Sequence, residues 1–274
     1  SSRIRWNKKC LMPGRRFRGQ RTEDRGQKTE DRRQRTEDRR QRTEDRRQKT
    51  EDKGTCMHLY LQCPTGISGD MFLAAVADLG LDLDPLARLL TAAGVEVRIQ
   101  TSPSRCCGLT GTRVQVEPLE VGPPLRNLDQ IRPLITASGF SSAVKARAEQ
   151  AFERLALVEA EVHGVPFSQV HFHEVGAVDT LVDILGCFWA LEALEVENVT
   201  CSSLPWFQGQ VECAHGKLPL PAPATVQLLK GKPVFSTSFE GELITPTGAL
   251  IIDQVASGFG SAPKGRLLHC GTGW

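Results

Sequence analysis

The residues best equipped for chemistry are concentrated between Val170 and Asp183, where His171, His173, Glu174, Asp179 and Asp183 stand among apolar neighbours. If residues 170–173 are extended, His171 and His173 project to the same side at a spacing of two. Such a spacing offers two imidazoles to one metal ion, with Glu174 beside them. If a helix begins near Val175, Asp179 and Asp183 lie four apart on one face. Burying two carboxylates there is costly without a cation or hydrogen-bond donors. The bland alternative has the histidines bonding backbone groups and the aspartates facing water.

Three further stretches have chemistry in them. In Glu212–Ala224, Cys213 and His215 can reach one ion only if the chain turns, which Gly216 permits. Imidazole suits Ni, Cu, Zn and Fe, and a thiolate draws softer ions. In Pro64–Met71, the sequence Gly66-Ile67-Ser68-Gly69-Asp70 falls between a strand and a helix. Glycines let backbone pass close to a ligand, and free N–H groups at the helix start with the Ser68 hydroxyl suit a phosphate. Asp70 repels phosphate unless a cation intervenes, or it only caps the helix. In Glu240–Ala249, Thr245, Thr247 and Gly248 repeat the pattern with Pro246 near the first helical position. Plain capping by threonine is the alternative there.

The elements that must position these groups follow from periodicity. Strands are expected at 57–63, 95–101, 112–117, 198–203, 209–213 and 233–236, and helices at 70–79, 84–93, 127–137, 141–163, 175–194, 222–230 and 246–257. The second strand pair turns around Cys106-Cys107-Gly108. Interleaved strands and helices in one body predict an α/β or α+β fold. Strand order is not legible.

Ahead of this body the chain has a different composition. Residues 20–54 repeat with a period of seven around Gln-Arg-Thr-Glu-Asp-Arg-Arg, and no repeat position is apolar. A coiled coil would have nothing to bury, so residues 1–55 are expected to be a disordered, basic, low-complexity tail. The whole chain is close to neutral at +2, so the body from 56 onward is acidic and favours cations over nucleic acid. The nine cysteines include no C-x-x-C pair and follow no recognisable signal peptide. A reducing, cytoplasmic setting is expected, and no apolar run has the ~20 residues of a membrane span.

In order and spacing, four stretches resemble the nickel-insertion family named for LarC. They are Gly66-Ile67-Ser68-Gly69-Asp70-Met71, His171-Phe172-His173-Glu174-Val175-Gly176-Ala177-Val178-Asp179, Cys213-Ala214-His215-Gly216 with Pro219 and Pro221-Ala222-Pro223-Ala224-Thr225, and Thr245-Pro246-Thr247-Gly248-Ala249. The resemblance implies nickel insertion into a pyridinium-3,5-bisthiocarboxylate mononucleotide, dependent on CTP with Mg or Mn, to make the pincer cofactor of lactate racemase. It implies that His171, His173, Glu174, Asp179 and His215 present Ni(II). His173 or Glu174 would act as the base, and Gly66, Ser68, Gly69, Asp70, Thr245, Thr247 and Gly248 would cradle the mononucleotide. The chain departs from the family at Gln62, where an aspartate is usual, and at Glu120-Val121-Gly122-Pro123-Pro124, where a histidine-rich stretch is common. The family domain is expected over 56–264, with 265–274 outside it and the CTP-associated domain absent; the expected partners are the mononucleotide substrate and either a separate CTP-binding domain or a second copy of the chain. Two other functions compete: a non-catalytic nickel metallochaperone, and a metal-dependent phosphohydrolase.

Overall fold

The computed structural model describes residues 56–106, 108–119, 127–172, 178–213 and 216–274, with the backbone alone for Cys213. They belong to one compact unit, Cys56–Trp274. The heptad tail lies outside the described residues, as do His173, Glu174 and His215.

The first strand, β1 (Met57–Leu61), pairs in parallel with β4 (Val196–Cys201), which in turn pairs in parallel with β9 (Gly258–Phe259). Leu59 faces Val199 and Leu61 faces Cys201 in this register. An antiparallel hairpin, β2 (Val97–Cys106) and β3 (Leu109–Pro118), stands apart from that sheet. It turns where the Cys-Cys-Gly sequence predicts, but the strands are longer than their apolar alternation indicates. Two more small sheets complete the set: β5 (Leu204–Gln208) parallel to β8 (Val234–Glu240), and β6 (Gln210–Cys213) antiparallel to β7 (Gly216–Pro219).

Helices α1 (Gly69–Asp78), α2 (Asp84–Thr91), α3 (Leu128–Ala137), α4 (Ser142–His163), α5 (Val178–Ala193), α6 (Pro223–Leu229) and α7 (Pro246–Val255) fill the connections. The mixture of helix and strand in one body is that expected from the sequence, which leaves α/β and α+β both open. Local chemistry sets the helix ends. The Ser141 hydroxyl accepts from Val144 N at 3.2 Å at the start of α4, and Gly164 closes that helix at φ 64°.

Helix α5 is central. From Thr180 to Phe188 every residue is buried, as befits a helix that is apolar all round and packed on several sides. Leu181, Ile184 and Leu185 pack there with Leu73 of α1, Phe152 and Leu155 of α4, and Ile251 of α7. Each such side chain contributes about 1.5–3 kcal/mol through burial. Among the described residues no helix is long and apolar enough to cross a membrane.

The last residues lie against α1 and β3. Thr112 N donates to Thr272 O at 2.9 Å, and Trp274 N donates to Thr112 O at 3.0 Å. Asp78 accepts from Thr112 Oγ1 at 2.8 Å and from Thr272 N at 2.9 Å.

Candidate functional site

Segments distant in sequence meet beyond the ends of β1 and β8. β1 leads through residues 62–68 into α1, and β8 leads through 241–245 into α7. A parallel bridge between Ile67 and Ile244 joins the two turns. Ile67 N donates to Leu243 O at 2.9 Å, and Thr245 N donates to Ile67 O at 3.3 Å. The approach excludes side chains: a Cβ on Gly66 would lie 1.8 Å from Leu243 O, and one on Gly248 would lie 2.1 Å from Ile67 O. Gly66 also sits at φ 101°, a region other residues rarely adopt. The glycines read as room for a ligand thus admit the opposite turn instead.

The hydroxyls at both helix starts serve as caps. Ser68 Oγ accepts from Met71 N at 3.4 Å and donates to the Asp70 carboxylate. Thr245 Oγ1 accepts from Gly248 N at 3.1 Å. Thr247 is buried beside it. Capping satisfies only part of each helix start, leaving the positive end of the helix dipole available to an anion.

The third contribution comes from α5. Asp183, only 8% exposed, lies against Gly69, where an added Cβ would meet its Oδ2 at 2.2 Å. Its Oδ1 is buried without a hydrogen-bond partner. Burial pushes the Asp183 carboxyl well above the usual carboxylate range, and the charges of Asp70 and Asp179 push it further. Asp70 and Asp179 are themselves exposed. Asp179 Oδ1 accepts from Thr180 N at 2.8 Å. The pair that the sequence places on one helix face is therefore split by depth: Asp179 at the rim, Asp183 beneath.

His171 is exposed between buried Val170 and Phe172, the alternation of an extended segment. Phe172 anchors it against Phe152, with ring centroids 6.5 Å apart. The rest of the expected nickel set, His173, Glu174 and His215, lies outside the described residues. Among the described residues no three His, Cys, Asp or Glu side chains are close enough to hold a metal ion by themselves.

Two features here escaped sequence reasoning. Cys63, at the head of the first turn, is buried with its Sγ 4.0 Å from Cys201 Sγ, and Cys63 N donates to Ser202 Oγ at 3.0 Å. The hydrogen bond to Cys201, burial and the Cys201 charge all hold the Cys63 thiol protonated. No periodicity signals this pair, because it depends on the parallel register of β1 and β4. A separate cleft of about 300 Å³, bordered by Leu81, Asp82, Ile99, Thr101, Ser102 and Thr112, shares no residue with the Asp183 site.

Two helix starts and a buried carboxylate thus gather past the carboxyl ends of β1 and β8, strands of separate small sheets, in a body of mixed helices and strands whose helix starts favour an anionic small ligand. Within that class, the chain belongs to the nickel insertion protein family, whose sequence model matches residues 59–274. The match continues through the last ten residues, beyond the boundary expected at 264. A nickel-insertion-named protein of Geobacter sp. (strain M21) is 45% identical over 216 residues, covering 78% of this chain and 56% of the relative. One of Citrifermentans bemidjiense is 46% identical over 218 residues, with 78% and 56% covered. A third, from Desulfitobacterium hafniense, is 42% identical over 215 residues, with 78% and 53% covered, and is named pyridinium-3,5-bisthiocarboxylic acid mononucleotide nickel insertion protein. The chain spans about half the length of the curated relatives it matches. No solved structure matches it significantly.

Proposed function

We propose that this body takes part in inserting nickel into a pyridinium-3,5-bisthiocarboxylic acid mononucleotide, toward the nickel-pincer cofactor of lactate racemase. The observation that carries the reading is the joining of the 66–70 and 243–248 turns, with the Asp183 carboxylate packed against Gly69. Hydrogen bonds from Ile67 and Thr245 hold the two helix starts together, giving the substrate's phosphate one anchoring surface. The name of the Desulfitobacterium relative supplies the substrate class.

Ni(II) is cargo here. His171, His173, Glu174, Asp179 and His215 are the proposed donors. Neutral imidazole and carboxylate hold nickel loosely enough to release it to the substrate's two sulfurs, unlike a closed four-thiolate cage. Forming the nickel–carbon bond breaks a pyridinium C–H bond, and the proton passes to His173 or Glu174 as general base. CTP, with Mg or Mn, is the proposed co-reactant, acting in a cytoplasmic setting. Nothing in the reading requires a nucleic acid or a membrane.

Equilibrium dialysis with Ni(II) tests the donor set. About one equivalent should bind the full chain, and the His171→Ala/His173→Ala variant should lose it. Mass spectrometry after incubation with the thiocarboxylate mononucleotide, CTP and Ni(II) tests the reaction, the expected product being the substrate plus nickel minus protons. Nickel binding that is unchanged in the double variant would overturn the donor assignment.

A further inference from the structure

Beside the joined turns lies a reactive pair that nickel chemistry does not use, Cys63 and Cys201. Their sulfurs are 4.0 Å apart although the residues are 138 apart in sequence, and both are buried, at 4% and 0% exposure. Two thiols in contact inside a core can pack simply as small hydrophobes. Their placement and chemistry set this pair apart from packing alone.

Cys201 ends β4 and is paired on both sides, with Leu61 of β1 and Phe259 of β9, so its backbone is fixed. Cys63 lies past the end of β1 on the turn, where Cys63 N donates to Ser202 Oγ at 3.0 Å, so it has more freedom to move. The hydrogen bond from Cys63 lowers the Cys201 thiol below its ordinary 9.0, outweighing burial with help from Ser202. One sulfur is thus prepared as a thiolate nucleophile, and its neighbour keeps the proton and stands ready to resolve the product. Burial shuts out bulky reagents, but hydrogen peroxide is little larger than water.

We infer that Cys63 and Cys201 form a redox modification site, closed to a disulfide by hydrogen peroxide, whose closure undocks the joined turns. The Cys201 sulfur attacks one peroxide oxygen, the O–O bond breaks, and the departing hydroxide takes the Cys63 proton to become water. Cys63, now a thiolate, attacks the sulfur of the Cys201 sulfenic acid, forming the S–S bond and displacing hydroxide. Counting the proton that Cys201 gave to solvent, two thiols lose two electrons and two protons, and one peroxide becomes two waters.

The sulfurs must close from 4.0 Å to about 2.05 Å. Because β4 holds Cys201, the movement falls on Cys63. Cys63 O accepts from Gly66 N at 3.3 Å, and Gly66 has no space to give against Leu243 O. Displacing the turn therefore strains the bonds from Ile67 N to Leu243 O and from Thr245 N to Ile67 O. The site stands whether or not the nickel reading does.

Hydrogen peroxide is the probe, applied to the full 274-residue chain and followed by thiol blocking, unfolding and peptide mass spectrometry. A peptide linking Cys63 to Cys201, two hydrogens lighter than the reduced pair and reopened by dithiothreitol, is the expected product. Cys187, buried in α5, should remain a thiol. Cys63→Ser should abolish the link and leave Cys201 as a sulfenic acid that dimedone traps. In native-state hydrogen exchange, the Ile67 and Thr245 amides should exchange at least tenfold faster after oxidation and recover on reduction. Recovery of Cys63 and Cys201 as free thiols while exposed Cys56 and Cys270 are oxidised overturns the site, as does a link that forms only in urea. A link that leaves both exchange rates unchanged overturns the undocking.

Discussion

Gly69→Ala tests whether the Asp183 carboxylate really packs beneath the start of α1. In an exposed helix with no obstruction, Gly→Ala gains about 0.4–1 kcal/mol by restricting the unfolded chain. Gly69 is buried instead, and the new methyl would lie 2.2 Å from Asp183 Oδ2, 2.4 Å from Cγ and 2.6 Å from Cβ. The last of these matters most, because Cβ moves only with the backbone of α5. Rotating the carboxylate away leaves that overlap in place, so α1 and α5 must separate. Overpacking of this kind costs about 1–3 kcal/mol, leaving a net loss of up to about 2.5 kcal/mol after the unfolded-state gain. At about 2–4 °C per kcal/mol for a body of this size, Tm should fall by up to roughly 10 °C. Urea unfolding should show a lower midpoint with an unchanged slope. Gly265→Ala is the matched control, since nothing lies within 4 Å of its added Cβ, and its midpoint should stay within about 0.5 kcal/mol of the parent. The double variant Gly69→Ala/Asp183→Gly removes the overlap, so its cost should be less than the sum of the single costs. A Gly69→Ala protein more stable than the parent would falsify the packing of Asp183 on α1.

Two further outcomes follow from charge and burial. Asp253 of α7 bonds Arg154 Nε at 3.1 Å and also Lys232 Nζ. Burial would raise its carboxyl, but the hydrogen bonds and charges of Lys232 and Arg154 outweigh burial and hold it below the ordinary 3.8. A depressed carboxylate stabilises the fold above its unfolded value and loses that contribution as pH falls through the folded one. Stability should therefore decline on acidification below about pH 4 by a step that Asp253→Asn lacks, and Asp253→Ala should cost near the lower end of about 3–5 kcal/mol at neutral pH, measured by urea unfolding. Thiol labelling should modify exposed Cys56 and Cys270 in the native protein and spare buried Cys63, Cys187 and Cys201. Burial raises the Cys187 thiol, so rapid labelling of that residue before unfolding would contradict its place inside α5.

Much of the body is legible from local signals. Ser141 and Gly164 bracket α4 as the capping and left-handed-glycine rules require, and Pro246 and Thr245 mark the start of α7. What escaped is non-local. β5 contains Pro205 and, among the described residues, pairs with β8 alone, some thirty residues on, so its Leu-Pro-Trp-Phe run has no turn or alternation to announce it. β9 is two residues long and exists because β4 offers it an edge. In β2 the stretch Thr101–Cys106 is largely polar and carries a proline, yet it is held extended by pairing through Cys106 with Leu109. Strand order depends on the same long-range pairings and leaves no mark in periodicity.

The site shows the same division in sharper form. The sequence marks Asp179 and Asp183 as equivalent, four apart on one face of a helix. The fold makes them different, because α5 dives into the core within its first two turns: Asp179 is left in water and Asp183 is carried under Gly69. Likewise the glycines of two separate turns look like two ligand-binding loops, whereas each is a glycine because the other turn occupies the space. Function at such a site depends on the docking of segments more than a hundred residues apart. A substitution at Gly66 or Gly248 should therefore disturb the proposed phosphate anchoring, even though neither glycine has a side chain to offer the ligand.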